Sequence, residues 1–132
     1  VNLSELAHKH STDKLTHGYC EFYPRYMEPV RESTKKVVEL GIGLGASVRM
    51  WLEYFPNTHL YSVDNDIKAI TTVWDSLPGG RFSIIQADQT DPTIWSTIGN
   101  DIDFVIDDCS HRPEHQIETF KLGFLHVRPG GW

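Results

Sequence analysis

The sequence predicts an α/β fold, a parallel sheet with helices on both faces. Two observations lead there. Short β-branched or aromatic runs alternate four times with stretches whose apolar residues recur at helical spacing. Each run delivers its chain to glycine or acidic residues, as a strand entering a loop does. The first run, Val37-Val38-Glu39-Leu40, ends at Gly41 and reads as a buried strand. Val48, Trp51, Leu52 and Phe55 then fall at i, i+3, i+4 and i+7, an amphipathic helix over residues 46–55 that Pro56 stops. Residues 59–63 form the second strand, ending at Asp64. Ile67, Ile70, Trp74 and Leu77 mark the next helix, closed by Pro78-Gly79-Gly80. Residues 82–87 are the third strand. Asp91-Pro92 supplies an N-cap and a first-turn proline to a helix carrying Ile94, Trp95 and Ile98 and ending at Gly99. Residues 102–106 are the fourth strand, running into Asp107-Asp108. The last helix covers residues 113–127 with Ile117, Phe120 and Phe124 inward, and Pro129-Gly130-Gly131 ends it. Sequential β/α units give parallel neighbours, and the expected strand order is 3-2-1-4.

Residues 1–35 read differently. They are polar, hold His8, His10 and His17 with Tyr19, Tyr23 and Tyr26, and are broken by Pro24 and Pro29. Short helices joined by loops are expected there. The division is thus an N-terminal helical segment, 1–35, and an α/β domain, 36–132. The histidine trio has a metal-like composition, but in so polar a stretch it reads as surface.

Twelve basic against eighteen acidic residues give 12 − 18 = −6, with histidines neutral. Such a balance argues against a nucleic-acid partner, which needs a basic stripe. It fits a small ligand or one carrying positive charge. No apolar run approaches the ~18 residues of a membrane helix, and the start has no signal-peptide pattern, so no membrane partner is expected. Cys20 and Cys109 are too few for a disulfide scaffold, which favours a reducing cytoplasm. The chain begins at Val1 and stops at Gly130-Gly131-Trp132, the expectation being a piece of a longer domain.

In parallel sheets, ligands bind beyond the carboxyl ends of the strands. The first such end is Glu39-Leu40-Gly41-Ile42-Gly43-Leu44-Gly45, where glycines allow a tight turn close to a ligand and a helix N-terminus offers free N–H groups. Two cofactor readings compete at this Rossmann-like turn. Gly41-x-Gly43-x-x-Ala46, with Asp64 downstream, satisfies the dinucleotide fingerprint of NAD-type proteins. Gly41-x-Gly43-x-Gly45 preceded by Glu39 is the pattern of class I S-adenosylmethionine (SAM) methyltransferases. Asp64 can accept both hydroxyls of the ribose that either cofactor carries, while Asp66 reads equally as a helix cap. Asp88 and Gln89 reach an adenine amino group or simply form a polar turn before Asp91.

Ile106-Asp107-Asp108-Cys109-Ser110-His111 is the richest stretch. Adjacent carboxylates repel unless a cation compensates them, and oxygen ligands suit Mg²⁺. His111 has the ordinary pKa of a general base near neutrality. The plainer alternative is that Asp108 or Ser110 caps the last helix. His111-Arg112-Pro113-Glu114-His115 also matches a zinc-peptidase string, but Pro113 belongs in a first helical turn and leaves His111 outside the helix.

Taken together, these stretches resemble the macrocin and mycinamicin type of sugar O-methyltransferase, a Mg²⁺-dependent branch of the class I SAM methyltransferases. The resemblance runs through Ser11-Thr12-Asp13-Lys14 with His17-Gly18-Tyr19, the glycine loop with Arg49-Met50-Trp51, and Tyr54-Phe55-Pro56-Asn57. It continues through Val63-Asp64, Ala87-Asp88-Gln89-Thr90-Asp91-Pro92, Asp107-Asp108-Cys109-Ser110-His111 and Arg128-Pro129-Gly130-Gly131. It implies that Glu39 and Gly41, Gly43 and Gly45 line the methionine end of SAM, that Asp64 holds the ribose, and that Asp88 and Gln89 lie near the adenine. It further implies that Asp108, with Asp107 beside it, binds the metal, and that His111 deprotonates a sugar hydroxyl of a glycosylated small molecule or glycan. Thr12 and Tyr19 would belong to a segment closing over the cofactor.

Two departures accompany the resemblance. Cys109 stands where the family pattern has glycine. The family fold has seven strands with further acidic ligands after the Gly-Gly stretch, so an incomplete seven-strand methyltransferase fold is expected here. An unpaired fourth strand would then invite pairing with a second copy, a homo-oligomer through that edge.

Overall fold

The computed structural model describes residues 2–15, 18–71, 75, 79–109 and 112–132. Helix α1 (Leu3–His10) opens the chain with Asn2 as N-cap, its side chain accepting from the Ser4 N–H at 2.8 Å. A 3₁₀ turn (Asp13–Leu15) and two one-turn helices, α2 (Tyr19–Phe22) and α3 (Pro24–Met27), follow. The α/β part then runs β1 (Lys36–Leu40), α4 (Ala46–Tyr54), β2 (His59–Asp64), α5 (Lys68–Thr71), β3 (Phe82–Gln86), α6 (Thr93–Ile98), β4 (Phe104–Asp107) and α7 (Pro113–Gly123). Among the described residues the strands form one parallel sheet in the order β3-β2-β1-β4. Topology and order are those expected from the sequence. No helix among the described residues is long and apolar enough to cross a membrane.

Strand alternation sorts the side chains into two cores. On one face Val37, Phe104 and Ile106 pack with Val48, Trp51 and Leu52 of α4, with Phe55 just after it, and with Leu3, Leu6, Cys20 and Met27 of the N-terminal helices. On the other, Val38, Leu40 and Val63 meet Ile94, Trp95 and Ile98 of α6. All four residues of the expected α4 stripe are buried. The N-terminal helices therefore share a core with β1 and α4.

Two local expectations meet a different outcome. The helix expected through Trp74 and Leu77 is described only over Lys68–Thr71, those two residues lying outside the described ones. Ile117 and Phe120 of α7, and Phe124 just after it, are 56%, 67% and 61% exposed rather than inward. The helix instead turns Thr119, Gly123 and half-buried Leu122 to the protein. The reason is Trp95: a Cβ on Gly123 would sit 2.7 Å from its indole, so only a hydrogen fits between. Two helical faces two or three residues apart carry similar periodicity, and the close glycine contact decides which one is buried.

The outer side of β4 is not bare. Ile102 pairs with Val127 in a parallel bridge, the Trp132 N–H donates to the Asp103 carbonyl at 2.9 Å, and the Val105 N–H donates to the Trp132 carbonyl at 2.7 Å. The expected open edge is thus lined by the chain's own C-terminal residues. Asp103 ties the bottom of the sheet together. Its carboxylate accepts the Lys35 and Lys36 N–H groups at 2.8 and 2.9 Å and a bond from Arg128 Nε. Burial works to raise the Asp103 pKa, but these donors outweigh it and the net shift is downward.

Two outcomes follow, both read by chemical denaturation. Gly123→Ala costs about 1–3 kcal/mol through overpacking against Trp95, whereas Phe120→Ser changes stability by no more than about 0.5 kcal/mol because Phe120 is exposed. Asp103 has a folded pKa below its unfolded value, so its contribution is full above about pH 4 and is lost as pH falls through the folded value. Asp103→Asn therefore lowers stability at neutral pH and flattens that acid limb.

Candidate functional site

Beyond Leu40 the chain leaves β1 and crosses the carboxyl end of the sheet. Gly41 has φ +99° and lies so close to β4 that a Cβ would fall 2.3 Å from the Asp108 carbonyl oxygen. The Gly41 N–H donates to the Val63 carbonyl at 2.7 Å and the Asp108 N–H to the Leu40 carbonyl at 2.9 Å, pinning the loop between its neighbours. Gly43, at φ +54°, instead faces open space. Gly45, at φ +82°, is the N-cap of α4 and offers no side-chain cap to the first-turn N–H groups. Asp64 stands behind the loop. One carboxylate oxygen accepts the Ile42 N–H at 2.8 Å and the other the Asp66 N–H at 3.1 Å. Asp66 itself accepts from the Lys68 N–H, the helix-capping role weighed for it.

A cleft of about 330 Å³ opens over this loop. Ser11, Thr12 and Asp13 make one wall, residues 41–44 with Ala46 and Ser47 the other, and Asp108 closes the end. Beneath the loop Glu39 is fully buried. Its carboxylate accepts from Ser47 Oγ at 2.8 Å and from Trp51 Nε1 at 2.7 Å, and Lys14 Nζ stands 3.4 Å away. The same ammonium donates to Asp108 Oδ2 at 2.6 Å. Burial works to lower the Lys14 pKa, but the Glu39 and Asp108 carboxylates outweigh it and the net shift is upward. Burial pushes the Glu39 carboxyl up, against Lys14, Ser47 and Trp51. Both directions hold protons in the cluster, and Lys14 stays charged. Burial likewise takes the neighbouring Tyr23 phenol up to about 12, with Lys14 acting the other way, so it stays neutral.

Among the expected site residues, Thr12, Gly41, Gly43 and Asp108 meet at this cleft, with Glu39, Gly45 and Asp64 supporting its loop. Three others lie apart from it. Asp88 accepts from the Thr90 N–H and hydroxyl in an exposed turn, which lowers its pKa. Gln89 is buried, its amide donating to Thr119 Oγ1 at 2.9 Å and to Asp107 at 3.3 Å. Tyr19 stacks on Tyr23 with ring centroids 5.5 Å apart. His111 falls outside the described residues, as do Ser110 and His17.

Asp107 and Asp108 do not converge. Asp107 turns to Gln89 beside α7, while Asp108 turns to Lys14 on the opposite face, as successive strand residues do. No group of three His, Cys, Asp or Glu side chains capable of holding a metal occurs among the described residues. Those residues alone do not fit a magnesium centre. They do fit a SAM-like molecule: a glycine cradle, a helix N-terminus without a side-chain cap, a carboxylate behind the loop, and acidic side chains for a sulfonium. Lys14 lies in the stretch from Thr12 to Tyr19 that the resemblance expects to close over the cofactor, with no role of its own implied there. The signal for it was the need of two strand-end carboxylates for a cation, but no spacing rule pairs residues 14 and 108.

A glycine loop over the carboxyl end of a 3-2-1-4 sheet, with acidic strand ends around it, defines a nucleotide-cofactor-binding α/β protein. Residues 38–132 match the family described as "Methyltransferase domain", and the chain belongs to that family. It is 34% identical to mycinamicin VI 2''-O-methyltransferase of Micromonospora griseorubida over 98% of its length, covering 34% of that protein. It is 32% identical to demethylmacrocin O-methyltransferase of Streptomyces fradiae, again over 98% of this chain and 34% of the relative. The solved MycE methyltransferase from the mycinamycin biosynthetic pathway, in complex with Mg, SAH and mycinamycin VI, superposes with a TM-score of 0.75. There the identity is 32%, covering 99% of this chain and 33% of that one. The chain spans about a third of the length of these relatives.

The loop geometry yields a sharp contrast between two glycines, measured by urea denaturation. Gly41→Ala costs about 3 kcal/mol, because the methyl meets the Asp108 backbone. Gly43→Ala costs only about 1–2 kcal/mol, the strain of a left-handed φ with no clash.

Proposed function

We propose that this chain is the SAM-binding part of an O-methyltransferase that acts on a sugar hydroxyl of a glycosylated small molecule. The observation that carries the reading is the cleft itself, with the glycine loop on one side and Asp108 at its end. The substrate class is supported by similarity along nearly the whole chain to enzymes named for methylating sugar-bearing natural products.

The cleft lining supports the roles of the described residues, and the family resemblance supports that of His111. Thr12 and the loop from Gly41 to Gly45 hold the methionine end of the cofactor, and Asp64, next to the loop, accepts from its ribose hydroxyls. Bound SAM supplies an electrophilic methyl on a sulfonium. Transfer is an in-line displacement at that carbon, so alignment of the attacking oxygen is most of the catalysis. Asp108 at the cleft end orients the acceptor, and His111, three residues further on, takes the hydroxyl proton as the oxygen–carbon bond forms and the carbon–sulfur bond breaks. The structural relative carries Mg. In this chain Asp108 and Asp13 are the described carboxylates that line the cleft, and they do not by themselves make a magnesium site.

A second reading is a SAM-binding module without turnover, favoured by Asp107 turning to Gln89 instead of joining Asp108 at the cleft. Calorimetric titration with SAH and with NAD tests the cofactor: SAH binds, and NAD binding without SAH would overturn the assignment. Methyl transfer to a glycosylated macrolide then separates the two readings, since SAH binding without transfer favours the second. In an active protein His111→Ala lowers the rate by about 10²–10⁴-fold with SAH affinity unchanged.

A further inference from the structure

We propose that Lys14 is a positioning residue that clamps the N-terminal wall of the cleft onto the sheet. The inference rests on the SAM-binding reading for its functional consequence, though not for the clamp itself.

Lys14 is 1% exposed, in a segment otherwise polar. Its ammonium sits between two carboxylates from different strands, Asp108 after β4 at 2.6 Å and Glu39 in β1 at 3.4 Å. The two contacts are not equal. Glu39 has other donors, Ser47 and Trp51, and meets the ammonium only at the longer distance. The short bond goes to Asp108, ninety-four positions away in sequence. A compact ammonium on a flexible stem suits this place, since it must reach both acceptors from one point.

The lysine holds more than a carboxylate. Ser11, Thr12 and Asp13, immediately before it, are the wall that faces the glycine loop across the cleft. That wall is reached through a turn at Ser11 with φ 56° and ψ 39°, a left-handed conformation costly for a residue with a side chain. The Thr12 N–H bonds the Ala7 carbonyl at 3.1 Å, and the Lys14 N–H lies 3.4 Å from Thr12 Oγ1. A strained turn persists where its surroundings over-determine it. The buried ion pair downstream is such a constraint. With Lys14 anchored at Asp108, the wall is held at the width of the cleft; without it, the turn can relax and the cleft opens.

The clamp is tested from both ends by amide hydrogen exchange on the protein and on Lys14→Met, Asp108→Ala and the double variant. Each single substitution speeds exchange at the Thr12 and Lys14 amides by about tenfold or more, while β1 and α4 amides keep their protection. The double variant adds little beyond either single, because both break the same bond. Lys14→Met leaves two carboxylates without their cation, so if it fails to fold, Asp108→Ala carries the test: it keeps Lys14 and Glu39 as a balanced pair. Unchanged exchange in Asp108→Ala, or a double variant equal to the product of the singles, overturns the clamp. SAH affinity, measured by calorimetry, falls about tenfold in each single variant and no further in the double. If exchange responds as stated and the wild type binds no SAH, the clamp stands and the cofactor reading falls. If SAH binds equally well to all four proteins, the clamp does not serve the site.

Discussion

The structure is organised around a carboxylate that water does not reach. Glu39 lies in β1, with β2 and β4 on either side and an apolar core packed against its face. An isolated charge there would cost several kcal/mol, and only close donors and a counter-charge make it tolerable. Those donors arrive from separate elements: Ser47 and Trp51 from α4, Lys14 from the N-terminal segment. Satisfying one side chain therefore fixes the seating of α4 against the sheet and the path of residues 11–15 across its end. Trp51 contributes twice, since its ring also packs against Tyr23 and Phe55 in the same core.

A second constraint is the two-residue period of a strand. Val37 and Glu39 share one face, Val38 and Leu40 the other. The same rule carried through β4 sends Asp107 and Asp108 apart, one to the α7 side and one to Lys14. Two adjacent acidic residues look like a ligand pair when read as text. Folded, they serve two different neighbourhoods, and Asp107 joins Gln89 and Thr119 in a polar bridge between the β3 loop and α7.

The fold was largely legible because its signals are local. Each buried strand is a short apolar run, and the α4 stripe is set by residues within one helix. The same locality explains what was misread. The phase of α7 depends on Gly123 meeting Trp95 of α6, two elements earlier, and its aromatic residues advertise a face that the packing does not use. Around the cleft, the tight turn at Gly41 and the strand-end place of Asp64 were readable because turn chemistry and strand ends mark them. The burial of Gln89 against Thr119 was not, because it is settled by the helix that lands on it. Lys14 shows the limit most clearly: its partners are set by the crossing of strands, and nothing in its immediate sequence announces burial.

The net charge of −6 takes on a location in the folded chain. Asp108 and Asp13 line the cleft, Asp64 stands behind the loop, and Lys14 lies between Asp108 and the buried Glu39. The two cofactor readings ask opposite things of such a place. A dinucleotide would lay its pyrophosphate near the glycine loop, where α4 N–H groups favour it but Asp13 and Asp108 oppose it. A sulfonium meets attraction from the same carboxylates, and the amino-acid carboxylate of SAM can turn to the helix N–H groups. Lys14 removes only part of the acidity, and from beneath, so what faces the cleft remains negative. The electrostatics thus favour a cationic ligand on grounds independent of the glycine spacing, which by itself serves either cofactor.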